Sequence, residues 1–322
     1  MLKFLAVFFL ALIGTFPALA ATTLSADGKT DTYGLINAAL APGGNAVEVP
    51  DCGHPEFGPH ITQAYDAILK RYVFRFHIHR DRDDDRCRKA DRQRTEIKTY
   101  ARSPDRLKAF AGDVMVFRWK FRLDPAFQPS HRFTHLHQIK AVGGDYAAMP
   151  LITLTARKGK KGKPDRMELR HAARDRQKTL AMRPLPAFLG RWLSVAERIS
   201  FAREGSYEIS IRDVLTGAVL FEYENAALAT WKEGAAFLRP KWGIYRSLRD
   251  RDNLRDEIVD FADFGIVKER QGLPVPGDIH QRFLLSAIDF DHRTVDEMGA
   301  RRTEIGHQIG DLIRFRDPSE RD

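Results

Sequence analysis

Apolar and polar residues alternate in short runs along most of the chain from about Arg71 onward. A period of two is typical of β-strands that bury one face, because successive side chains of a strand point to opposite sides. Between positions 74 and 79 the even residues are apolar and the odd residues are polar, and the polar set includes His77 and His79. This run therefore predicts a strand with two histidines on one polar face.

The same pattern predicts many strands that are joined by turns, with no long helical segments between them. Turn sequences such as Gly143–Asp145 and Thr216–Gly217 separate the runs. Ahead of the first strand, a short helix is predicted at Tyr65–Lys70. The further strands are predicted at Arg92–Tyr100, Val114–Leu123, Phe133–Ala141, Leu151–Ala156, Met167–His171, Trp192–Ala202, Tyr207–Val214, Val219–Tyr223, Trp242–Arg246 and Glu257–Lys268. This organisation is typical of an all-β fold, a concanavalin A-like β-jelly-roll sandwich, over residues 21–272.

The two ends of the chain differ from the strand region. Residues 1–20 combine a basic start at Lys3, an apolar run over Phe4–Ile13 and a small-residue cleavage site at Ala18–Ala20. This is the pattern of a secretory signal peptide, since a membrane-spanning helix needs about 20 apolar residues. We therefore expect a secreted or periplasmic protein without a membrane anchor. Residues 273–322 are predicted to form a short, partly helical C-terminal appendage, because helical periodicity is found over 295–313.

Composition places the chain among ordinary globular proteins, with 322 residues of which 43% are hydrophobic. Its 52 Lys and Arg residues outnumber its 43 Asp and Glu residues, which gives a formal net charge of +9 at pH 7. For an exported protein, this excess favours an acidic polysaccharide or the anionic cell envelope as partner, rather than nucleic acid. The alternative is that the charge only solvates the surface. A monomer is expected.

Two cysteines, Cys52 and Cys87, remain once the signal peptide is removed. An even number of cysteines in an oxidising compartment favours a disulfide bond between them. The alternative is a pair of buried free thiols, because the sequence has neither a Cys-x-x-Cys motif nor the Cys and His spacing of a zinc site.

Three short segments concentrate groups that can hold an anion or move a proton, and they are Arg94–Lys98, His135–Lys140 and Lys241–Tyr245. Alternation places Arg94, Glu96 and Lys98 on one face, either as an anion-binding surface or as a buried ladder of ion pairs. In the third segment, Lys241, Gly243 and Tyr245 share a face. A lysine and a tyrosine would then line one surface beside a residue without a side chain.

The second segment is compatible with a regular strand or with a strand that contains a β-bulge. In a regular strand, Gln138 and Lys140 share one face, whereas His135 and His137 share the opposite face with Ile139. The two histidines are then expected in the core, unless a β-bulge turns one of them to the polar face.

In this order, the three segments resemble motifs of the jelly-roll polysaccharide lyases, namely the alginate lyases of polysaccharide lyase family seven and their relatives heparin lyase I and glucuronan lyase. The alginate lyases typically carry an Arg-x-Glu-x-Arg string, a Gln-Ile-His string and a Tyr-Phe-Lys-x-Gly-x-Tyr-x-Gln string. The resemblance covers residues 71–268 of this sequence. It implies β-elimination at a uronate, in which the C5 proton is removed and the 4-linked glycosidic oxygen leaves.

The resemblance also implies roles for individual residues. Arg94 and Gln138 would bind and neutralise the uronate carboxylate, and Tyr245 would act as the acid and also serve as a candidate base. No cofactor is required for this chemistry. The further residues expected to contact an acidic polysaccharide are His77, Glu96, Lys98, His137 and Lys241.

The sequence departs from the alginate lyase pattern at the position expected to hold the base. Lys140 stands where the family has histidine, so this lysine is a catalytic candidate only with a strongly lowered pKa. A replacement imidazole is expected first from His79, and otherwise from His77 or from His137 across a bulge. The departure favours a polymer of glucuronate over alginate as the substrate.

Three alternatives stay open. A non-catalytic module could grip acidic polysaccharide through the same cationic residues. A glycoside hydrolase on the same fold would need two carboxylates about 5 to 9.5 Å apart, and the nearest candidates are the pairs Asp256 with Glu257 and Asp260 with Asp263. The acidic run over Asp81–Asp85 is a candidate site for a structural calcium ion, although it lacks the EF-hand pattern.

Overall fold

The alternating segments form two antiparallel sheets that pack face to face. The structure, a computed structural model, describes residues 21–160 and 162–269. The expected signal peptide and the C-terminal appendage lie outside these residues. The strands are β1 (Thr22–Leu24), β2 (Val47–Glu48), β3 (Ile61–Asp66), β4 (Arg71–Ile78), β5 (Arg92–Lys98), β6 (Val114–Leu123), β7 (Thr134–Val142), β8 (Ile152–Arg157), β9 (Arg166–His171), β10 (Lys178–Pro184), β11 (Trp192–Ser200), β12 (Gly205–Asp213), β13 (Val219–Leu228), β14 (Phe237–Ser247) and β15 (Glu257–Glu269).

One sheet has eight strands in the order β13-β12-β11-β6-β15-β4-β3, and β1 also pairs with β15. The other has seven strands in the order β10-β9-β8-β7-β14-β5-β2. Every paired strand in both sheets is antiparallel to its neighbours, and non-consecutive strands lie side by side, as in a jelly roll. The jelly-roll prediction is confirmed, and each of the predicted strand segments overlaps an observed strand, with ends that differ by one or two residues in several cases.

The core lies between the two sheets and is built by the apolar half of each alternating pattern. Phe74 and Phe76 of β4 are fully buried, as the sequence predicts. Trp119 of the eight-stranded sheet and Trp242 of the seven-stranded sheet meet across the core, with ring centroids 6.0 Å apart. Burying a large apolar side chain of this kind contributes about 1.5–3 kcal/mol. Because both sheets supply such residues along their length, the inner faces hold the sandwich together.

The segment before the main strands is organised differently from the prediction. The prediction of a helix over Tyr65–Lys70 is wrong, because β3 continues to Asp66 and a tight turn leads into β4. The Asp66 carboxylate accepts hydrogen bonds from the backbone N–H groups of Ile68 and Leu69, which stabilises the turn. A helix that the pattern missed, α1 (Thr32–Leu40), begins after Asp31, whose carboxylate accepts a hydrogen bond from the Gly34 backbone.

The two cysteines form the expected disulfide bond, with their Cα atoms 6.2 Å apart. Cys52 lies in a short 3-10 turn over Asp51–Gly53, and Cys87 lies in the loop between β4 and β5. The bond therefore joins two segments that are 35 residues apart in sequence. Among the described residues, none of the helices has the length and apolar character needed to span a membrane.

Candidate active site

A groove of about 540 Å³ lies on the face of the seven-stranded sheet that points away from the core. Strands β5, β7, β8, β9 and β14 form its floor, and the loops beside them form its walls. Its polar and aromatic lining residues are Asp91, Arg92, Arg94, Arg132, Phe133, His135, Gln138, Lys140, Thr155, Arg157, Arg170, Gln177, Tyr245, Ser247 and Arg249. Four residues predicted from the sequence as catalytic are therefore brought together here, namely Arg94, Gln138, Lys140 and Tyr245.

The three sequence segments lie on adjacent strands, because β14 is flanked by β5 and β7. Register places Tyr245 directly opposite Arg94 on one side and His135 on the other. Gly243 allows the close approach of β14 to β5, since its φ is +144° and a Cβ atom there would lie 2.1 Å from the Thr95 carbonyl oxygen. The segments that are distant in sequence thus form one row of side chains across the floor.

A bulge in β7 decides which histidine faces the groove. The pairing of β7 with β8 shifts between His135 and His137, and the pairing of β7 with β14 shifts at the same level. His135 therefore lies on the groove face with Gln138, and the expectation that both histidines share the core face is wrong for His135. His137 does point into the core, where its Nε2 lies 2.9 Å from Glu197 Oε2 and its Nδ1 donates to the Lys241 carbonyl oxygen.

Tyr245 is held between two guanidinium groups. Arg92 donates a hydrogen bond of 3.0 Å to the phenolic oxygen, and the guanidinium carbon of Arg94 lies 3.7 Å from the ring centroid. The ring centroid of His135 lies 5.9 Å from that of Tyr245. Because Arg92 is the donor in its contact with the hydroxyl, the phenolic proton is free to point into the groove.

His135 is a neutral imidazole at neutral pH. Burial, followed by the positive charges of Arg94 and Arg170, lowers its pKa to about 3. The residue is only 7% exposed, and its Nδ1 atom has no hydrogen-bond partner among the described residues. An unprotonated nitrogen beside Tyr245 can accept a proton from a bound molecule.

A buried network of ion pairs holds the floor residues Arg94 and Gln138 in place. Glu96 is fully buried and accepts hydrogen bonds from Arg94, Gln138 and Lys241, the last at 2.6 Å. Glu48 of β2 accepts from Lys241 and from Lys98. Burial raises the Glu48 pKa, but the charges of Lys241, Arg94 and Lys98 outweigh it and hold the pKa well below its usual range. Glu96, Lys98 and Lys241 thus lie on the same outer face as Arg94, beside the groove, and are absent from its lining.

Lys140 lines the groove, and its ammonium group binds the loop that follows β7. Its Nζ atom donates to the carbonyl oxygens of Ala147 and Ala148 at 2.8 and 2.7 Å. Burial, together with the positive charges of Lys241 and Arg94, lowers its pKa to about 8. The shift that the sequence required of this lysine is therefore present, and its direction is that of a buried amine.

The lining is strongly cationic. Six arginines and Lys140 line the groove, and Asp91 is the single carboxylate among the described lining residues. Arg157 and Arg170 both contact Glu168, which is buried beneath them, while Arg249 at the rim keeps 62% of its side chain exposed. Clustered charge of one sign in a concave surface concentrates oppositely charged ligands.

His77 and His79 lie outside the groove. The Nε2 atom of His77 lies 3.0 Å from Thr62 Oγ1 on the neighbouring strand of the eight-stranded sheet. His79 follows β4 and contacts the Asp83 carboxylate through its backbone N–H and its Nδ1 atom. The structure therefore does not bring His79, the first choice for the base, to Tyr245.

The carboxylates of the acidic run point to different partners. Asp81 contacts Arg80, Asp84 accepts from the Cys87 backbone, and Asp85 binds Arg86 and Arg94. Asp83 alone points to the histidines. The run does not supply the set of converging oxygen atoms that a calcium ion takes.

The groove lining also contains His135, Arg157 and Arg170, to which the sequence motifs gave no role. The alternation of β8 and β9 places Arg157 and Arg170 on their polar faces, so this signal was available in the sequence. The outward position of His135 required knowledge of the bulge.

Neither a protein-family model nor a curated protein matches this chain in sequence. Its fold is similar to the marine PL-14 alginate lyase from Aplysia kurodai, with a TM-score of 0.51 and 12% identity, over 77% of this chain and 98% of that chain. Two weaker similarities have TM-scores of 0.44. They are to an endo-β-1,4-glucuronan lyase from Trichoderma reesei (14% identity) and an alginate lyase from Pseudomonas aeruginosa (18% identity), each over 64% of this chain and 86% of that chain. The chain has a jelly-roll, polysaccharide lyase-like fold.

Proposed function

We propose that the protein is a polysaccharide lyase that cleaves a uronate-containing polysaccharide, with glucuronate as the preferred uronate, by β-elimination. The observation that carries this proposal is the pairing of Tyr245 with the neutral His135 in a groove lined by cations. A base, an acid and positive charge are the three requirements of elimination next to a carboxylate.

Substrate binding is assigned to the cationic lining. A polyuronate carries one carboxylate on each uronate, and the arginines of the groove offer charge-assisted hydrogen bonds to such groups. The reacting carboxylate is assigned to the floor at Arg94 and Gln138, as the family resemblance implies. There the guanidinium charge offsets the negative charge that develops when the C5 proton leaves.

In the elimination step, His135 removes the C5 proton. The electron pair of the C5–H bond forms the C4–C5 double bond, and the C4–O bond breaks. Tyr245 donates its phenolic proton to the leaving glycosidic oxygen, and the hydrogen bond from Arg92 stabilises the phenolate that remains. His135 thus replaces His79 as the proposed base, while Glu96, Lys98 and Lys241 support the floor.

The placement of acid and base supports a preference between uronates. Tyr245 and His135 are register partners on the same face of the sheet, and we assign both of them to one side of a bound sugar ring. In glucuronate and mannuronate the C5 proton and the O4 atom are gauche to each other, which suits removal from one side. In guluronate they are trans-diaxial, which requires acid and base on opposite sides. The geometry therefore favours glucuronate or mannuronate polymers.

The test is to incubate the purified protein with glucuronan, polymannuronate, polyguluronate and heparin-type polymers, and to follow the ultraviolet absorbance of the unsaturated uronate. We expect a rise on glucuronan and none on polyguluronate. A rise on polymannuronate alone would retain the lyase but change its substrate. The lyase proposal fails if no polymer gives a rise while an acidic polymer still binds, and that outcome would support the binding-module alternative.

The hydrolase alternative receives no support from the groove. Two facing carboxylates are needed, and Asp91 is the only carboxylate in the part of the lining that the structure describes. The acidic pairs of the sequence, at 256–257 and 260–263, precede or belong to β15 of the other sheet.

A further inference from the structure

A second cluster of polar side chains lies outside the groove, where the loop between β4 and β5 meets the segment after α1. His54, His60, His79 and Asp83 each offer one donor atom, and these atoms all lie within 4.8 Å of one another. The Asp83 carboxylate is at the centre of the cluster. Its oxygens lie 2.9 Å from His54 Nδ1, 3.1 Å from His60 Nε2 and 3.2 Å from His79 Nδ1.

The cluster is shielded from solvent. The side chains of His60 and Asp83 have no exposed surface, and those of His54 and His79 are only 11% and 19% exposed. The Phe57 ring covers the imidazoles, with its centroid 4.2 Å from that of His79 and 4.8 Å from that of His60. A buried carboxylate needs hydrogen-bond donors or a positive charge beside it, and a bound metal ion is one way to supply that charge.

His60 is oriented by a second carboxylate. Asp51 Oδ1 lies 2.7 Å from His60 Nδ1, and the Asp51 carboxylate also accepts a hydrogen bond of 2.8 Å from the Tyr33 hydroxyl. This contact fixes the orientation of the His60 ring, so that Nε2 is the nitrogen that faces Asp83 and would bind an ion. Histidines that bind metal ions in proteins are commonly oriented by a carboxylate in this way.

We propose that His54, His60, His79 and Asp83 form a structural binding site for Zn²⁺ or a divalent transition-metal ion of the same class. Three imidazole nitrogens and one carboxylate oxygen are a donor set that suits zinc, whereas calcium takes oxygen ligands. Zinc bonds of about 2.0–2.2 Å separate tetrahedral donors by about 3.3–3.6 Å. The four donors therefore need only small side-chain adjustments to enclose an ion.

Four protein ligands leave no open position, so the site is structural and not catalytic. Its ligands come from two segments that the Cys52–Cys87 disulfide also joins. Gln93 of β5 donates hydrogen bonds to the carbonyl oxygens of His79 and Asp83, which connects the ligand loop to the strand that carries Arg94. The bound ion and the disulfide thus hold this loop to the segment over residues 51–60, and Gln93 connects the same loop to β5.

The test uses the full chain and does not depend on lyase activity. The protein is treated with a chelator, checked for folding by circular dichroism, and titrated with Zn²⁺ while bound metal and the unfolding temperature are measured. We expect about one ion per chain and a higher unfolding temperature on binding. Replacement by Co²⁺ is expected to give the intense visible bands of a tetrahedral ion.

Variants locate the ion. Asp83→Asn and His79→Ala are expected to lose binding, and His131→Ala, a histidine outside the cluster, to retain it. Asp51→Asn keeps all four ligands and is expected to weaken Zn²⁺ binding about 10- to 100-fold. If His79→Ala does not fold, Zn²⁺ binding is compared between the wild type and Asp83→Asn. This variant keeps an acceptor for the His79 backbone N–H.

Two results would overturn the proposal. One is a folded, metal-free protein that takes up no Zn²⁺ and does not gain thermal stability from it. The other is binding that Asp83→Asn and His79→Ala leave unchanged, which would place the ion elsewhere in the chain, for example at His280, His292 or His307. A failure of the lyase assay would change neither result.

Discussion

The guanidinium carbon of Arg94 lies 3.7 Å from the ring centroid of Tyr245, across the pairing of β5 with β14. The Nε atom of Arg94 donates a hydrogen bond of 2.8 Å to the Asp85 carboxylate, which fixes the guanidinium group. A cation over an aromatic ring in a partly buried setting contributes about 0.5–2 kcal/mol. The position of the Tyr245 ring is therefore set by the floor and does not depend on its own hydroxyl group.

The first prediction concerns Tyr245→Phe. The phenyl ring should keep its place on Arg94, so polymer binding should stay nearly intact while product formation is lost, because the proton donor is missing. Polymer affinity measures the binding, and the production of unsaturated uronate measures the activity. A variant that keeps more than about a tenth of the rate, a change of under about 1.4 kcal/mol, would show that Tyr245 is not the acid. Tyr65→Phe, at an exposed tyrosine of the other sheet, is the control.

The second prediction concerns the acid side of the pH profile. An ordinary histidine base loses activity as the pH falls through about 6.5. His135 has a pKa of about 3, so its imidazole stays unprotonated far below that point and should produce no decline near pH 6.5. His135→Ala should lower kcat by about 10²- to 10⁴-fold. The matched control is His77→Gln, at a histidine outside the groove, which should retain the wild-type rate; a comparable loss there would contradict the assignment.

The third prediction concerns the alkaline side. Lys140 has a pKa of about 8, so its positive charge is present below that pH and is lost as the pH rises through it. Affinity for a polyuronate should therefore weaken above pH 8, and KM measured across the pH range reports this change. Lys140→Arg keeps the charge and should remove the decline. An unchanged decline in Lys140→Arg would show that another group titrates.

The fourth prediction concerns the rim of the groove. Arg249 has a 62% exposed side chain paired with Asp91, so Arg249→Ala should weaken polymer binding roughly two- to fivefold and reduce its salt dependence. Arg203 is also exposed and ion-paired, with Glu233, but lies outside the groove lining. Arg203→Ala should leave affinity unchanged. Equal effects of the two variants, measured by calorimetry at two salt concentrations, would mean that net charge and not the groove governs binding.

The fifth prediction concerns the disulfide bond. Cys52 and Cys87 close a loop with a sequence separation of 35, for which chain entropy gives a contribution of about 3 to 4 kcal/mol. The double variant with serine at both positions should lose stability of this size in urea unfolding. Because the bond joins the two segments that carry the proposed metal ligands, the measurement is made in the presence of a chelator. A change below about 1 kcal/mol would show that the loop is already ordered without the bond.

Much of the fold follows from local pattern. The alternation in β4, β5, β6 and β14 identified these strands, because the side-chain period of a strand is independent of its partners. The helix predicted at Tyr65–Lys70 was wrong, since pairing between β3 and β4 outweighs local preference in that segment. The short strands β1 and β2 carry too few residues to show a period.

The sequence by itself determined the all-β fold, the disulfide and four of the groove residues, because alternation and motif order depend only on neighbours along the chain. Tertiary structure decided that His135 faces the groove and that His137 lies in the core, since a bulge depends on how β7 pairs with both neighbours. It also brought His54 and His60 to His79 and Asp83. No sequence period relates these residues, and only the packing of two loops beside the disulfide places them together.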